Sequence, residues 1–257
     1  MLTVEQLEQF RRSGFVNGGP VIDDDTTAVL QEEVLRVIEQ RENPAVAQPV
    51  RLVNLSSDLE HPIWQIVNIW EASPAFKALI SLPQLTTMAA QLSGARELRV
   101  WHDQVQYKPK EFGGRLHWHQ DSPLWPTLQP KDGQITAWIA LDDADADNGC
   151  MYMVPGSQRW GNRQKELDQL PQGGQLPEEY EGQPLHILMC PVKKGHVHFH
   201  HSLTWHGSGT NHSMRPRRAI AIHFMTERTT FDATGDHVMK PFISVPPGAP
   251  LQGEKFP

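Results

Sequence analysis

The sequence has 257 residues, and its 23 lysines and arginines against 30 aspartates and glutamates give a formal net charge of -7. It has no basic run that would match a phosphate backbone and no apolar stretch long enough to cross a bilayer, so we expect neither nucleic-acid binding nor membrane insertion. A chain of this length can bury a full hydrophobic core, either as one large β-rich domain or as two smaller ones.

The first third of the chain is predicted to be largely helical. Residues 1–5 lack the basic and apolar segments of a secretion signal, which predicts a soluble cytoplasmic protein. Residues 2–7 carry a capping-box pattern, which predicts a first helix ending near Gly14. The segments that follow are a second helix from residues 23–25 to Pro44, a mixed loop at 45–60, and partly helical stretches at 62–80 and 84–92.

From residue 97 onward the pattern changes to short strands divided by prolines and glycines. The predicted strands are 98–101, 103–107, 136–141, 151–154, 185–189, 196–199 and 219–225. Because no regular helical crossovers separate them, we expect a mainly β sandwich or jelly roll with flanking helices rather than a parallel α/β sheet. The two cysteines, Cys150 and Cys190, are too few for a disulfide framework and are interpreted as small buried hydrophobes.

Residues 159–183 stand apart from the strands on either side. They are rich in Gln, Gly, Glu and Pro, show little periodicity, and begin just after a turn at 155–157. Long ordered loops often carry binding function, so we predict a lid or rim over the active site that governs which substrate is accepted. The alternative is a solvated insertion without substrate contacts.

The motif at 116–123 contains the strongest local signal for chemistry. His119 and Asp121 are separated by one residue, so on a β-strand their side chains leave the same face. A neutral imidazole and a carboxylate with open positions beside them make up two-thirds of a non-haem ferrous site, whose third ligand is a distant histidine. The same short pattern also occurs at hydrogen-bonded strand edges, so the remainder of the chain must supply the third ligand.

His206 is the best candidate for that ligand, because it ends an apolar stretch and is followed by small residues that allow close approach. The competing histidines are His198, His200, His201 and His212. Three arginines follow, and a guanidinium group inside a site can bind a carboxylate through two hydrogen bonds. Spacing alone does not choose among Arg215, Arg217 and Arg218.

Three separated blocks of the sequence carry a family pattern. They are Phe112-Gly113-Gly114 leading into Trp118-His119-Gln120-Asp121; Ala137-Trp138 followed by Asn148-Gly149-Cys150 and Val154-Pro155-Gly156-Ser157; and His206-Gly207-Ser208-Gly209-Thr210-Asn211 running on to Arg217. Together these blocks resemble the phytanoyl-CoA dioxygenase family of iron(II)/2-oxoglutarate oxygenases. The start of the chain is also similar, so the likeness extends to about residue 226.

The resemblance implies a double-stranded β-helix of the jelly-roll, cupin-like class in a single domain. A helical N-terminal part would occupy about 1–95, the core about 97–226, and a C-terminal extension 227–257. It also implies iron(II) held by His119, Asp121 and His206, with 2-oxoglutarate and O2 as cosubstrates. No catalytic residue is implied beyond this metal site.

The resemblance further implies which residues surround 2-oxoglutarate. In the family, the arginine eleven residues beyond the distal histidine receives the far carboxylate, which selects Arg217 over its neighbours. Gln104 matches a family position beside the cosubstrate and Trp138 one that packs over it. Ser208 is placed to hydrogen-bond the same carboxylate.

The implied activity is hydroxylation of a small molecule with release of succinate and CO2. The alternatives are a cupin-like metal-binding module without oxygenase activity, a zinc hydrolase, and a halogenase-type relative, which would commonly lack the carboxylate that Asp121 supplies. Acyl-CoA is not implied, because the sequence departs from the acyl-CoA enzyme before residue 98 and at 159–183 and has no Ser-Lys-Leu ending. The substrate and the oligomeric state stay open.

Overall fold

The computed structural model describes residues 1–56, 60–111, 114–170 and 174–257. The helices are α1 (Val4–Ser13), α2 (Asp24–Glu39), α3 (Pro74–Ile80), α4 (Pro83–Ser93) and α5 (Gln164–Leu167), with short 3-10 helices at Ile69–Glu71, Ser122–Leu124, Ser157–Trp160 and Lys240–Phe242. The strands are β1 (Phe15–Pro20), β2 (Arg51–Asn54), β3 (Trp64–Val67), β4 (Leu98–Lys108), β5 (Leu116–His119), β6 (Leu128–Gln129), β7 (Gln134–Ala140), β8 (Met151–Met153), β9 (Glu179–Tyr180), β10 (Gln183–Pro184), β11 (Leu188–Cys190), β12 (His196–His201), β13 (His206–Ser208), β14 (Arg217–Thr226) and β15 (Thr230–Phe231). None of the helices in these ranges is long and apolar enough to cross a bilayer.

Two antiparallel sheets form the body of the protein. The larger sheet has seven strands in the order β1-β12-β7-β14-β4-β3-β2, and the smaller has four in the order β11-β8-β13-β5. Trp138 and Ala219 of the larger sheet pack against Met151, Met153 and Cys190 of the smaller one. The mainly β architecture with flanking helices is therefore as predicted.

One face of the larger sheet packs against the helices and the other faces the interior between the two sheets, as strand β14 shows. Its alternate residues Ile220, Ile222 and Phe224 are buried in the main hydrophobic cluster, where helices α2, α3 and α4 cover the sheet. Arg217 and His223 alternate with them and project between the two sheets. The polar interior that results is where the site lies.

The N-terminal helical part contains strands that sequence reasoning missed. The segment at 45–60, expected to be a loop, contains β2, and the segment at 62–80, expected to be partly helical, begins with β3. The strands predicted at 98–101 and 103–107 are one continuous strand, β4. Helices α1 and α2 form as predicted, and α1 has the full capping box between Thr3 and Gln6 and ends at Gly14.

The segment at 159–183 has more local structure than its composition indicates. It contains part of the 3-10 helix Ser157–Trp160, the helix α5, and strands β9 and β10 paired as a small hairpin. Residues 171–173 of this segment, like Phe112 and Gly113 of the first family block, lie outside the described residues.

The C-terminal segment, residues 227–257, packs against strands β4 and β6. Strand β15 pairs with β6. Phe256 is 2% exposed and stacks on Trp101 with ring centroids 5.5 Å apart, and the carbonyl of Pro257 accepts a hydrogen bond from the Val100 amide. This packing brings His237 and Val238 to the interior cavity.

Candidate metal centre

Three predicted ligands converge between the two sheets. His119 ends β5, Asp121 precedes the 3-10 helix Ser122–Leu124, and His206 begins β13, which pairs with β5 so that His206 lies opposite His119. One ligand atom from each residue lies within 4.8 Å of the others, and among the described residues this is the group able to hold a metal ion. Two imidazoles and one carboxylate are a donor set that fits ferrous iron.

Backbone carbonyls fix the orientation of both imidazole rings. His119 Nδ1 donates to the His117 carbonyl at 2.8 Å, and His206 Nδ1 donates to the Thr204 carbonyl at 2.9 Å. Because a carbonyl can only accept, each ring in its neutral form carries its proton on Nδ1 and presents the lone pair of Nε2. The two Nε2 atoms lie 3.8 Å and 3.4 Å from Asp121 Oδ1, so three lone pairs face one point.

Charge and burial tune these three groups differently. Burial lowers the pKa of His119 to about 3, which leaves its ring neutral at physiological pH. Burial alone would lower the pKa of His206, but the carboxylate of Asp121 raises it above the ordinary value. Burial would likewise raise the pKa of Asp121, but His206 and His200 beside it hold it well below its usual range. Asp121 is therefore a carboxylate in the folded protein.

The second oxygen of Asp121 is held by other side chains. Thr136 Oγ1 donates to Asp121 Oδ2 at 2.6 Å, and His200 Nε2 donates to the same oxygen at 2.9 Å. Thr136 in turn accepts from His223 Nδ1 at 2.9 Å. His200, a rival third ligand at the sequence level, is thus placed as a partner of Asp121 rather than beside Oδ1.

The other rival histidines lie away from this point. His198 is buried and stacks on Phe15 with centroids 5.7 Å apart, His201 Nδ1 accepts from the Leu203 amide, and His212 is exposed.

Arg217 is the arginine that faces the interior. It is 1% exposed, and its Nη2 donates to the Gly149 carbonyl at 3.3 Å, while its Nε and Nη1 have no hydrogen-bond partner among the described residues. Burial lowers its pKa to about 10, so it remains a cation at physiological pH. Two buried guanidinium nitrogens without a partner in the same cavity as the candidate metal centre fit the carboxylate of a cosubstrate.

Arg215 and Arg218 are occupied elsewhere. Arg215 forms an ion pair with Asp145 at 2.7 Å, and its side chain is 50% exposed. Arg218 forms two hydrogen bonds to the carboxylate of Asp142, at 2.7 Å and 2.8 Å. The structure therefore separates the three arginines that spacing alone could not.

One cavity of about 420 Å³ joins these groups. It is lined by all seven predicted site residues: Gln104, His119, Asp121, Trp138, His206, Ser208 and Arg217. The Trp138 ring lies 5.5 Å from the Arg217 guanidinium carbon, and Gln104 pairs across β4 and β14 with the small residue Ala221. The remaining walls include Arg51, Gln65, Gln106, His102 and His237, and two residues of the 159–183 segment, Gln164 and Asp168.

Lys108 is a site neighbour that sequence reasoning missed. It is 1% exposed, and its Nζ donates to Ser208 Oγ at 2.8 Å and to the Gly209 carbonyl at 2.6 Å. Burial, with the charge of Arg217 opposite it, lowers the pKa of Lys108 to about 6. The signal was present, because Lys108 is four residues beyond Gln104 and a continuous strand puts both on one face.

Comparison with known proteins gives a consistent result. The family model described as phytanoyl-CoA dioxygenase (PhyH) matches residues 10–219. Peroxisomal phytanoyl-CoA dioxygenase from Bos taurus is 24% identical over 237 residues, which cover 87% of this chain and 68% of that protein. Ectoine dioxygenase from Bordetella parapertussis is 25% identical over 247 residues, which cover 90% of this chain and 78% of that protein.

Solved structures show the same fold. The non-heme alpha ketoglutarate dependent carbocyclase SnoK from nogalamycin biosynthesis has a TM-score of 0.77 and 25% identity, covering 100% of this chain and 96% of its own. EctD from S. alaskensis, solved with 2-oxoglutarate and 5-hydroxyectoine, has a TM-score of 0.71 and 21% identity, covering 90% of this chain and 78% of its own. These neighbours confirm the predicted double-stranded β-helix.

Proposed function

The chain belongs to the phytanoyl-CoA dioxygenase family and is an iron(II)- and 2-oxoglutarate-dependent oxygenase, and we propose that His119, Asp121 and His206 hold its iron. The observation that carries this assignment is the convergence of their ligand atoms within 4.8 Å. The fixed tautomers of both rings support it, because each Nε2 already presents a lone pair. A facial set of three ligands leaves the other positions of the ion open for cosubstrates.

Arg217 is proposed to bind the far carboxylate of 2-oxoglutarate. Its buried Nε and Nη1 have no partner among the described residues, so the guanidinium has donors on both of its edges for a carboxylate. Ser208 lies on the same wall, and its Oγ already accepts from Lys108, so its own proton is free to be donated to the carboxylate. Trp138 and Gln104 flank the space between Arg217 and the three ligands. The cosubstrate is thus oriented by charge at one end and confined by flat side chains along its length.

The chain's own residues position the reactants and exclude water. When bound, iron and 2-oxoglutarate supply the oxidation, activating O2 with release of succinate and CO2 and transferring an oxygen atom to a C–H bond of the substrate. Thr136 and His200 hold Asp121 Oδ2, which keeps Oδ1 aimed at the point where the two Nε2 atoms meet. The burial of these groups keeps bulk water from the centre.

A small molecule is proposed as the substrate, bound at the end of the cavity away from Arg217. The cavity of about 420 Å³ is within the size range of small-molecule sites. His102 lies at that end, since it pairs with His223 at the far end of β14, and the cavity walls also carry the amides of Gln65 and Gln106, the imidazole of His237 and the guanidinium of Arg51. This lining favours a polar substrate with hydrogen-bonding groups over a wholly apolar one.

Two observations weigh against the alternative functions. Asp121 supplies the carboxylate that a halogenase-type site would lack, and it is held by two hydrogen bonds. Arg217 has buried N–H groups that a metal-binding module or a zinc hydrolase would leave without a partner. Both features are explained by 2-oxoglutarate binding and hydroxylation.

The test is turnover of 2-oxoglutarate by the metal-free protein after anaerobic addition of Fe(II), followed by O2 and a panel of candidate metabolites. We expect succinate formation that requires iron and is stimulated by the true substrate. His206→Ala should abolish it, and Arg217→Ala should weaken 2-oxoglutarate binding to the iron-loaded protein. Succinate formation that persists without iron, or 2-oxoglutarate binding equal in wild type and Arg217→Ala, would contradict the proposal.

A further inference from the structure

Gln120, the residue between the ligands His119 and Asp121, faces away from the metal centre. It is fully buried at 0% exposure. Its Nε2 donates to the carbonyls of Gly161 at 2.8 Å and Leu203 at 2.6 Å, and its Oε1 accepts from the Arg163 amide at 2.6 Å. All the hydrogen-bonding capacity of its side-chain N–H groups is therefore used within the protein.

The backbone of Gln120 adds a fourth contact. Its amide donates to Gln164 Oε1 at 2.7 Å, and Gln164 Nε2 donates to Asp168 Oδ1 at 2.8 Å. Gln164 and Asp168 line the cavity of the metal centre. A chain of hydrogen bonds thus runs from Gln120, between the ligands His119 and Asp121, to the part of the 159–183 segment that forms a cavity wall.

Gly161 makes this geometry possible. It has φ 73° and ψ -157°, a region in which residues with a Cβ are strained. The turn at Gly161 directs its carbonyl back to Gln120 before α5 begins. The start of the segment is consequently shaped around Gln120.

The third ligand is connected to the same point. Leu203, whose carbonyl accepts from Gln120, lies three residues before His206. Trp205, adjacent to His206, packs against Trp160 and Tyr180 of the segment with ring centroids 4.9 Å and 4.8 Å apart. The segment therefore contacts Gln120, which is adjacent to His119 and Asp121, and Trp205, which is adjacent to His206.

We propose that Gln120 is a positioning residue that couples residues 161–168 of the cavity wall to the metal ligands on either side of it. The proposal rests on the proposed function, because it requires that His119, Asp121 and His206 hold the metal. When the metal orders its ligands, the position of Gln120 between them is fixed, and the hydrogen bonds of Gln120 then order residues 161–168. Coupling is reciprocal, so a substrate that contacts Gln164 or Asp168 also changes the geometry of the ligands. The wall is thus a tethered part of the site rather than a freely hinged lid.

Only an amide satisfies these contacts. A carboxylate at position 120 would place oxygen against the carbonyls of Gly161 and Leu203, and an apolar side chain would leave both carbonyls and the Arg163 amide without a partner. Gln120→Met is therefore the informative variant, because it keeps the length of the side chain and removes its hydrogen bonds.

The experiment uses Co(II) alone as the probe on the metal-free full chain. In wild type, we expect Co(II) to slow amide hydrogen exchange at residues 161–168. In Gln120→Met, we expect Co(II) affinity to fall by roughly ten- to hundredfold, as for other residues that orient metal ligands. Its Co(II) absorption spectrum should change, and metal should no longer slow exchange at 161–168.

A matched control separates coupling from general destabilisation. Gln31 on α2 also uses its Nε2 for two hydrogen bonds, to the Leu141 carbonyl at 2.5 Å and to Asp142 Oδ1 at 2.9 Å, and it lies in the helical layer. Gln31→Met should keep the wild-type Co(II) affinity, spectrum and exchange response. If Gln120→Met does not fold, Gln164→Met breaks the same link from the other side and should show the same losses.

The outcomes distinguish the two proposals. Co(II) binding that survives His206→Ala would overturn the metal assignment and the coupling with it. Co(II) binding lost in His206→Ala but unchanged in Gln120→Met would overturn the coupling alone. So would a wild-type protein in which metal leaves exchange at 161–168 unchanged.

Discussion

Asp121 is the most heavily supported of the three proposed ligands. Its Oδ2 accepts from Thr136 and His200, while Oδ1 is left facing both imidazoles. A carboxylate held in this way keeps its orientation before the metal arrives, which reduces the cost of ordering it on binding. Oδ1 is therefore the oxygen proposed to bind the metal, and Oδ2 is the oxygen through which the side chain is held in place.

This division predicts different effects for the two histidines nearest Asp121. His206→Ala removes a proposed ligand and should abolish Fe(II) binding, whereas His200→Ala removes one hydrogen bond and should weaken binding by roughly ten- to hundredfold. Anaerobic Fe(II) titration of both variants measures the difference. Retained binding in His206→Ala with complete loss in His200→Ala would mean that His200 is the third ligand.

The arginines give a second prediction at this scale. Arg217→Ala should weaken 2-oxoglutarate binding by an amount on the order of 2–5 kcal/mol, because the carboxylate would lose a buried charged partner. Arg215→Ala should leave binding unchanged, since its exposed ion pair with Asp145 lies outside the cavity. Calorimetric titration of the iron-loaded proteins tests this, and equal losses in the two variants would refute the assignment of Arg217.

The individual residues differ in how far the sequence could predict them. The pairing of His119 with Asp121 could be predicted from their spacing, although β5 ends at His119 and Asp121 has the helical φ -67° and ψ -59° of the turn that follows. His206 lies 87 positions from His119 and meets it through the register of β13 on β5, which only the fold determines. Thr136 and His223 gave no signal, because a threonine or histidine in a strand is ordinary until its neighbours are known.

At the scale of elements, the two halves of the 159–183 segment have different contacts. Gly161, Arg163 and Gln164 bind Gln120, whereas the later residue Tyr180 packs on Trp160 and Trp205. The first half therefore hydrogen-bonds to the residue between two proposed metal ligands, whereas the second half packs on the rings of Trp160 and Trp205.

Two linker replacements should separate these tasks. A Gly-Ser linker in place of 169–183 should leave Co(II) and 2-oxoglutarate affinity unchanged and should uncouple or broaden substrate oxidation, because the outer part of the rim is lost. A linker in place of 162–183 should also weaken Co(II) binding, because Arg163 and Gln164 are removed. Equal Co(II) affinity in both would show that the first half does not support the metal centre.

The C-terminal segment lies beyond the matched family region, and its packing predicts a structural role. Phe256→Ala should lower the free energy of unfolding by about 3–5 kcal/mol, because it empties the space against Trp101. Phe242 is 38% exposed, so Phe242→Ala in the same segment should cost about 1 kcal/mol or less. Denaturant unfolding of the two variants tests the contrast, and similar losses would contradict it.

Strand β3 shows why some elements could not be predicted. Ile63, Ile66, Val67 and Trp70 have a helical spacing in the sequence. In the structure Ile66 is buried under the helices and Val67 is buried on the other side of the sheet. A strand covered on both faces lacks the alternation that identifies a half-buried strand, so its apolar residues imitate a helix.

The protein is acidic overall, but two basic residues lie together in its interior. The chain has a net charge of -7, yet Arg217 and Lys108 lie opposite each other on β14 and β4 in the interior, and burial lowers the pKa of both. The jelly-roll class could be predicted from alternation and turns, since these are local, but the strand count could not: seven strands were predicted and the described residues contain fifteen. The meeting of two basic groups could not, because it depends on the pairing of strands more than one hundred residues apart.

Lys108 should make the stability of the whole metal-free protein depend on pH. Its pKa falls from 10.5 in the unfolded chain to about 6 in the folded protein, so between these values the unfolded chain binds one more proton. The resulting cost to stability is complete below about pH 6 and disappears above pH 10.5, so stability should rise with pH across this window.

Lys108→Met removes this group, so the free energy of unfolding of wild type should gain about 3 kcal/mol relative to the variant between pH 7 and pH 9. Denaturant unfolding at both pH values measures the gain, because other titrating groups, including Arg217, are common to the two proteins. Lys110→Met, at an exposed position two residues away, should follow the wild-type pH profile. Parallel profiles for wild type and Lys108→Met would show that Lys108 does not lose its proton on folding, and that Arg217 shares the interior with a second cation.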